Sequence, residues 1–351
     1  MLTEKEIKEI RNHLDNAKNP IFLFDNDPDG LCSFLILQRY TGRGKGVAIK
    51  SLPGLDKSYF RKVEEFKADY IFVLDKPLID KEFIELADKA GIPLVHIDHH
   101  NVPKSQTIYY YNTFYSSGLI EPVSYLCYKI TERKEDEWIA AIGCITDSFI
   151  PDFITNIELK YPGLIDAPYK TAFDILYKTT FGKICMIISF GIKDSTTNIV
   201  SLIRFLMKCN HPRDILEENG KTRTFLKRFN EINKKYQAII KKAEEHAKEE
   251  ILFFTYSGDL SINQYISNYL FYKYPEKIIV CIYIKGNIAN LSTRWKGDIR
   301  TAVVNAIKGI EGASGGGHEH AAGGRIPADA VQKFKENLLK EIERLKKEKR
   351  D

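Results

Sequence analysis

The sequence predicts an α/β protein with two domains. In the first hundred residues, short apolar runs alternate with helix-like segments, which is the pattern of a parallel sheet. A second alternation of strands and helices begins after a helical stretch at 196–250. We therefore expect an N-terminal parallel-sheet domain over 1–195, a helical linker over 196–250 and a smaller α/β domain over 251–351, with a cleft between the two domains.

The composition is that of a soluble globular protein. The chain has 351 residues, of which 44% are hydrophobic and 28% are charged, enough for two cores. The opening segment, MLTEKEIKEIRNHL, is charged and helix-periodic, and no later apolar run approaches the length of a membrane span. We expect a cytoplasmic protein with no membrane partner.

Cysteines and charge narrow the possible classes of protein further. The six cysteines lie in apolar segments without a CxxC pair, which favours buried thiols over a zinc site. The net charge of +5 is mild, but Lys and Arg are concentrated in KTRTFLKRFNEINKKYQAIIKK (221–242), where Glu231 is the single acid. This pattern predicts a basic helix between the domains, with a face that is either solvated or in contact with phosphates.

Three predicted strands end in side chains that bind metal ions. IFLF (21–24) runs into DNDPDG, YIFVLD (70–75) ends on an aspartate, and PLVHIDHH (93–100) ends on DHH. The carboxyl ends of neighbouring parallel strands converge on one crevice, so these side chains can meet there. A predicted buried helix, EDEWIAAIGCITDSF (135–149), adds Asp147 near its end, and a buried carboxylate needs a partner.

The hexapeptide DNDPDG (25–30) also resembles the start of a calcium-binding EF-hand loop, which has acids at its first, third and fifth positions and glycine at its sixth. Such a loop needs a bidentate acid at position twelve, where this chain has Ile36. It also follows a helix, whereas IFLF predicts a strand, and Pro28 removes a backbone N–H. Calcium sensing is therefore disfavoured.

A binuclear site for hard divalent ions fits the same residues better. Two ions about 3.5–4 Å apart clamp a phosphoryl group and generate hydroxide from bound water. The candidate ligands are Asp25, Asp27, Asp29, Asp75, His99 and Asp147. Because this set is mostly oxygen with one imidazole, it suits manganese or magnesium better than zinc or copper.

These motifs, together with GGGH (315–318), resemble the DHH phosphoesterase superfamily in order and spacing, over nearly the whole chain. The resemblance is greatest to the RecJ-like branch, in particular the compact archaeal RecJ-like exonucleases, because the first motif has the form D-x-D-x-D-G. DHH pyrophosphatases and nanoRNases carry a histidine four residues before the middle aspartate. This chain has Leu23 at that position.

The resemblance implies two manganese ions, with magnesium as the alternative, and a role for each motif residue. Asp25 and Asp27 look like ligands of the first ion, Asp29 and His99 like ligands of the second, and Asp75 and Asp147 would sit between the two ions. Asp98 is similar to the carboxylate that fixes the ring of a neighbouring histidine. His100 resembles the histidine that contacts the scissile phosphate. Asp25 would stand in for the histidine that is absent at Leu23.

The C-terminal stretch GGGHEHAAG resembles the glycine-rich motif of the DHH-associated domain. The N–H groups of Gly315, Gly316 and Gly317 would approach phosphate oxygens, helped by the dipole of a following helix. His318 would donate to the same anion. Arg294, on an adjacent strand, resembles the family's substrate-binding arginine, whose planar fork suits a phosphate. Taken without the other motifs, such a stretch is more often a simple turn.

Together these expectations describe a manganese-dependent phosphodiesterase, an exonuclease that releases mononucleotides from single-stranded DNA or RNA in an active-site cleft between the domains. One alternative is a phosphoesterase of short oligoribonucleotides or 3′,5′-bisphosphonucleotides. Another is a RecJ-related accessory subunit of a replication helicase, which six converging ligands disfavour. Replication or DNA repair partners fit the first and last of these. The sequence leaves the polarity of hydrolysis and the oligomeric state open.

Overall fold

The computed structural model describes residues 1–50, 54–105, 107 and 109–348. The chain divides into two units, Met1–Phe229 and Asn230–Asp351, and the division falls inside the helix Arg223–Glu244. The predicted bounds at 195 and 250 remain a prediction. Among the described residues, no helix combines the length and the apolar character needed to cross a membrane.

Unit 1 contains a five-stranded sheet in which every pair of strands is parallel. Its strands are β1 (Pro20–Asp25), β2 (Lys45–Ile49), β3 (Tyr70–Leu74), β4 (Leu94–Asp98) and β5 (Tyr109–Asn112). They lie in the order β2-β1-β3-β4-β5. The parallel-sheet prediction is confirmed. The sequence patterns did not single out the outer strands β2 and β5, which are short and partly exposed.

Helices surround this sheet and complete unit 1. They are α1 (Glu4–Asn16), α2 (Pro28–Thr41), α3 (Phe60–Glu65), α4 (Lys81–Ala90), α5 (Thr113–Ser117), α6 (Val123–Thr131), α7 (Glu137–Thr146), α8 (Ile154–Lys160), α9 (Ala172–Lys178), α10 (Thr180–Gly191) and α11 (Thr196–Leu206). Helix α7 is the predicted buried helix, and Asp147 is its C-cap. One core cluster joins Leu23 of β1 and Val73 of β3 to Phe83 of α4, and all three are fully buried.

The stretch 196–250 is not wholly helical, contrary to expectation. After α11 comes a short 3-10 turn, Pro212–Ile215, and the long basic helix α12 begins at Arg223 and ends at Glu244. Pro212 disfavours a helical conformation at His211, the residue before it, and so prevents α11 from continuing into the next segment. Gly220, just before α12, weakens helical propensity there.

Unit 2 has a mixed five-stranded sheet. Its elements are β6 (Ile251–Ser257), α13 (Asn263–Lys273), β7 (Ile278–Lys285), β8 (Ile288–Arg294), α14 (Ile299–Ala306), β9 (Ser314–His318), β10 (Ala321–Pro327) and α15 (Val331–Glu348). The order is β6-β7-β8-β10-β9, with β6 and β7 parallel and the other pairs antiparallel. Val280 and Ile282 of β7 pack with Val303 of α14 and Leu338 of α15 in one apolar core.

Two predictions about turns in unit 2 have different outcomes. The hairpin predicted at residues 285–287 is confirmed, since β7 ends at Lys285, β8 begins at Ile288 and Gly286 has a φ of 58°. The glycine-rich stretch, however, is not a loop that leads into a helix. It forms β9, which pairs with β10, so the predicted help from a following helix is wrong. Glycines weaken a strand but do not exclude one where neighbouring strands pair with it.

Candidate functional site

The structure brings the six predicted metal ligands together at the carboxyl ends of the strands of unit 1. Asp25 ends β1, Asp75 follows β3 directly, and His99 follows β4. Potential ligand atoms lie within 4.8 Å of one another in three groups: Asp25, Asp27 and Asp75; Asp29, His99 and Asp147; and Asp75, His99 and His100. We call Asp25, Asp27, Asp29, Asp75, His99 and Asp147 the acidic cluster. Asp75 and His99 each occur in two groups, which places them at its centre.

The hexapeptide DNDPDG forms the turn from β1 into α2. Asp27 caps the helix, since its Oδ1 accepts a hydrogen bond from the backbone N–H of Gly30 at 2.9 Å. Pro28 occupies the first turn of α2, where a missing N–H is tolerated. A Cβ atom at Gly30 would lie 2.5 Å from the carbonyl oxygen of Asp25, so only glycine allows this close approach. The turn thus points the acids towards the strand ends.

Asp29 is held by the start of helix α6. Its Oδ2 accepts a hydrogen bond from the N–H of Val123 at 2.8 Å, and its Oδ1 accepts from the N–H of Ser124 at 3.0 Å and from the Ser124 hydroxyl. The side chain is buried, and the N-terminus of a helix favours a carboxylate. These donors fix Asp29 in one orientation and leave Oδ2 a lone pair for a metal ion.

Asp75 is the most constrained carboxylate of the cluster. Its φ of 58° is in the left-handed region, and its N–H donates to the carbonyl of Ile97 at 3.0 Å. Its buried Oδ1 accepts no hydrogen bond within the described chain and lies 3.3 Å from Nε2 of His99. Burial, and then the charge of Asp27, raise the pKa of Asp75 well above its usual range. Such an atom fits a bound cation.

The two histidines of the DHH motif have opposite electrostatic surroundings. Burial, reinforced by His100, lowers the pKa of His99, so its imidazole is neutral and suited to ligation. Burial also lowers the pKa of His100, but the hydrogen bond and charge of Asp98 outweigh this effect and the net pKa is raised. Nδ1 of His100 lies 2.7 Å from Oδ1 of Asp98. Asn112 of β5 donates to the other oxygen of Asp98 at 3.3 Å, which fixes this pair.

Two lysines, the buried Lys76 and the half-buried Lys193, balance part of the negative charge. Nζ of Lys76 lies 2.7 Å from Oδ1 of Asp25, and Nζ of Lys193 donates to the carbonyl of Asn26 at 3.3 Å. Desolvation, and then Asp25 and Asp29, still raise the pKa of Asp27 to about 7. The remaining excess of carboxylates is costly without a further cation. The donor set, mostly oxygen with imidazole, suits a hard divalent ion.

Several residues that support the cluster were not predicted from the sequence: Lys76, His96, Asn112, Ser124 and Lys193. Lys76 was within reach of prediction, because it directly follows a proposed ligand in a strand that ends at the crevice. His96, in the fully buried VHID run, was a second signal. Its Nε2 lies 2.6 Å from the carbonyl oxygen of Lys76. The other three come from separate elements, and no sequence pattern pointed to them.

The other predicted residues, Arg294, Gly315, Gly316, Gly317 and His318, lie in unit 2. Residues directly opposite each other in the antiparallel strands β8, β10 and β9 share one face. Three such rows cross these strands: Arg294, Ala321 and His318; Ser292, Gly323 and Gly316; Asn290, Arg325 and Ser314. We call these nine residues the glycine face. Arg294 is fixed within it by its Nε, which donates to Oδ1 of Asn268 on α13 at 2.7 Å.

The three glycines of GGGH have different surroundings. A Cβ at Gly316 would meet nothing within 4 Å, so this residue opens onto free space. A Cβ at Gly315 would lie 2.9 Å from the carbonyl oxygen of Gly323, and one at Gly317 would lie 2.4 Å from that of Ala321. Gly317 also has a φ of 138°. The fold therefore requires Gly315 and Gly317, whereas Gly316 leaves room for a ligand.

The chain is similar to known proteins in part of its sequence and in its fold. Residues 258–347 match the DHHA1 domain model. No curated protein matches the sequence. Among solved structures, the manganese complex of RecJ from Thermus thermophilus is 17% identical with a TM-score of 0.68, and the match covers 96% of this chain and 55% of RecJ. This chain thus spans little more than half of that protein.

Two further structures are similar over most of their own length. An exonuclease RecJ bound to manganese is 14% identical with a TM-score of 0.62, covering 96% of this chain and 94% of that one. The pGpG-specific phosphodiesterase PggH from Vibrio cholerae is 12% identical with a TM-score of 0.50, covering 93% of this chain and all (100%) of that one. At these identities the likeness shows a shared fold. The chain therefore shares the fold of these RecJ structures, and its residues 258–347 match the DHHA1 domain.

Proposed function

We propose that the protein is a phosphodiesterase dependent on divalent metal ions, an exonuclease that releases mononucleotides from single-stranded DNA or RNA. The observation that carries this proposal is the convergence of five carboxylates and the His99 imidazole around Asp75 and His99; the buried Oδ1 of Asp75 accepts no hydrogen bond within the described chain. Manganese is the expected ion, with magnesium as the alternative. Two RecJ structures of similar fold contain manganese, which supports this choice, and a third contains magnesium.

The acidic cluster would hold two ions. Asp25 and Asp27 would bind one, Asp29 and His99 the other, and Asp75 and Asp147 would lie between them. When bound, the ions would supply positive charge to the scissile phosphate and acidify a bound water. The chain's own part is to fix its ligands: α6 orients Asp29, and the left-handed turn orients Asp75. Little proton transfer by side chains is then required.

His100 has a separate role in this proposal. Asp98 accepts its Nδ1–H and raises the pKa of the ring, which favours the protonated form whose Nε2–H can donate to a phosphate oxygen of the substrate. A cationic donor stabilises the charge that develops on that phosphate in the transition state. Asp98 therefore acts through His100, and Asn112 acts through Asp98.

The glycine face of unit 2 would bind the strand. One row has Arg294 and His318 at its two ends. Another row contains Arg325 and Asn290. Rows of equal orientation recur every second residue, at about 6.8 Å along a strand, a spacing that suits successive phosphates of an extended chain. Gly316 and Gly323 between them let the backbone approach the ligand.

End-labelled single strands of DNA and RNA, graded from dinucleotides to long oligomers, test this function. With Mn²⁺, the wild type is expected to shorten long strands one nucleotide at a time, and chelation should stop the reaction. The retained label gives the polarity. Failure to hydrolyse any strand in Mn²⁺ or Mg²⁺ would contradict the proposal.

A second candidate is a phosphodiesterase of very short substrates. Its support is the match to the full length of PggH, a pGpG-specific enzyme. The same length series separates the two candidates, because this enzyme would cleave dinucleotides rapidly and leave long strands intact.

A further inference from the structure

Lys76 occupies an unusual position beside the acidic cluster. It follows Asp75 directly, its side chain is 6% exposed, and its Nζ lies 2.7 Å from Oδ1 of Asp25. Its own carbonyl oxygen lies 2.6 Å from Nε2 of His96, a fully buried residue. These contacts hold the ammonium group against Asp25 and largely away from solvent.

The lysine engages an oxygen that the proposed first ion would use. Oδ1 of Asp25 accepts from Nζ of Lys76 and also from the N–H of Asn26 at 3.0 Å. Both lone pairs of that oxygen are thus taken, and only Oδ2 remains for a metal ion. Among the described residues, the group of Asp25, Asp27 and Asp75 therefore offers fewer open ligand atoms than its carboxylate count suggests.

A second lysine lies on the same side. Lys193 donates to the carbonyl of Asn26, which is placed between Asp25 and Asp27 in the turn. Two ammonium groups thus adjoin this half of the acidic cluster.

In the other half of the cluster, Asp29 is held by neutral donors. Asp29 accepts hydrogen bonds from the N–H groups of Val123 and Ser124 and from the Ser124 hydroxyl. Neutral donors orient a carboxylate without repelling a cation, whereas an ammonium group in contact with a ligand repels one. The aspartates of the two groups are therefore held by donors of different charge, an ammonium group at Asp25 and neutral groups at Asp29.

We propose that Lys76, supported by Lys193, makes the Asp25–Asp27–Asp75 group the weak, exchangeable metal site, while the Asp29–His99–Asp147 group binds its ion tightly. This inference rests on the metal-dependent function proposed above. Lys76 is a positioning residue in this account, since it acts through Asp25. The negative phosphate of a bound strand offsets the lysine charge, so strand and second ion should each strengthen the binding of the other.

Titration with Mn²⁺, followed by the electron paramagnetic resonance signal of the free ion, tests the inference without any hydrolysis. For the wild type we expect two binding steps separated by at least roughly tenfold in affinity. Residues that contact metal ligands typically change metal affinity by this amount. Lys76→Met should tighten the weak step by roughly tenfold or more and leave the tight step within about twofold. Lys81→Met, which removes an exposed lysine paired with Glu85 at 3.4 Å, should change neither step.

Three further measurements complete the test. Asp25→Asn alone should abolish the weak step. In the double variant Asp25→Asn/Lys76→Met, Mn²⁺ should bind at the weak site no more tightly than in the wild type. A strand with phosphorothioate linkages that resist hydrolysis should tighten the weak step in the wild type. If circular dichroism shows that Lys76→Met does not fold, Lys76→Gln takes its place, because it keeps a polar contact to Asp25 without the charge.

The outcomes distinguish this inference from the proposed function. Two steps of equal affinity in the wild type, or a weak step that stays unchanged or weakens without the lysine charge, would overturn the role of Lys76. No binding of Mn²⁺ by the folded wild type would instead overturn the proposed metal-dependent function.

Discussion

The acidic cluster of unit 1 and the glycine face of unit 2 are built on opposite principles. The cluster gathers charged side chains at strand ends, where Asp75 and His99 are buried and closely surrounded. The glycine face depends on missing side chains, since a Cβ at Gly316 would point into open space. In the acidic cluster, the types of the side chains determine the chemistry. On the glycine face, the register of β9 determines which residues can contact a ligand.

This difference sets the expected size of substitution effects. Removing a charge at the centre of the cluster should change the reaction by orders of magnitude, because the ligands act together on one phosphate. Adding a methyl group on the glycine face should only hinder the approach of a strand. Each prediction below tests one side of that contrast.

Asp75→Asn should give the largest effect. It keeps the size of the side chain but removes the charge of the central carboxylate, and we expect single-turnover hydrolysis in Mn²⁺ to fall by roughly 10³-fold or more. The control is Asp88→Asn, an exposed aspartate of α4, which should stay within about twofold of the wild type. An Asp75→Asn protein with a nearly normal rate would show that the cluster is not the hydrolytic centre.

Asp98→Asn should have an intermediate effect, because this residue acts through His100. Loss of its charge removes the cause of the raised pKa of His100, so the ring should be neutral at pH 7. Substitution of a residue that orients a reacting side chain typically lowers activity by about 10–100-fold. Nuclear magnetic resonance of the histidine ring should show a lowered pKa alongside the slower hydrolysis. An unchanged pKa of His100 would contradict this role for Asp98.

Gly316→Ala should weaken the binding of a single strand by roughly tenfold, an interaction loss of about 1.4 kcal/mol, and leave the fold intact. Gly220→Ala is the matched control, since a Cβ there would also meet nothing within 4 Å but lies outside the glycine face. Fluorescence anisotropy with a labelled strand measures the binding.

Gly317→Ala should separate structure from binding on the same strand. Its Cβ would lie 2.4 Å from the carbonyl oxygen of Ala321 and its φ is 138°, so we expect a loss of about 1–3 kcal/mol in the free energy of unfolding. Denaturant unfolding checks this value. Equal stability of the Gly316→Ala and Gly317→Ala proteins would argue against the assigned register.

Arg325→Met should have the smallest effect. Arg325 lies one row beyond the glycines, and its side chain makes no hydrogen bond or ion pair within the part of the chain that the structure describes. If it contacts one phosphate, its loss should reduce the salt dependence of binding by roughly one unit of slope. Lys340→Met removes an exposed charge from α15 and should not change the slope. Equal slopes in both variants would remove Arg325 from the binding face.

Much of the acidic cluster was predictable from the sequence, and the reason is chemical. A hard divalent ion requires carboxylates and imidazoles, and parallel strands bring their carboxyl ends together, so Asp75 and His99 could be paired before any coordinates. Ser124 and Lys193 could not be found in this way. Their contacts depend on where α6 and the end of α10 pack, which local patterns do not specify.

The glycine face was predicted less well for a related physical reason. GGGH indicated a place where a backbone can approach an anion, but glycine is depleted in strands, so the stretch was interpreted as a loop. Pairing with β10 overrides that local preference. Once the register is known, the alternation of side chains along β9 separates Gly316 from its two neighbours.

The most direct test of the central claim is the anomalous scattering of Mn²⁺ in crystals of the wild-type protein. The account predicts one strong peak at the Asp29–His99–Asp147 group and a weaker one at the Asp25–Asp27–Asp75 group, each about 2.1 Å from its ligand atoms. A well-ordered structure grown in excess Mn²⁺ with no peak at either group would contradict the assignment of the acidic cluster as a metal centre.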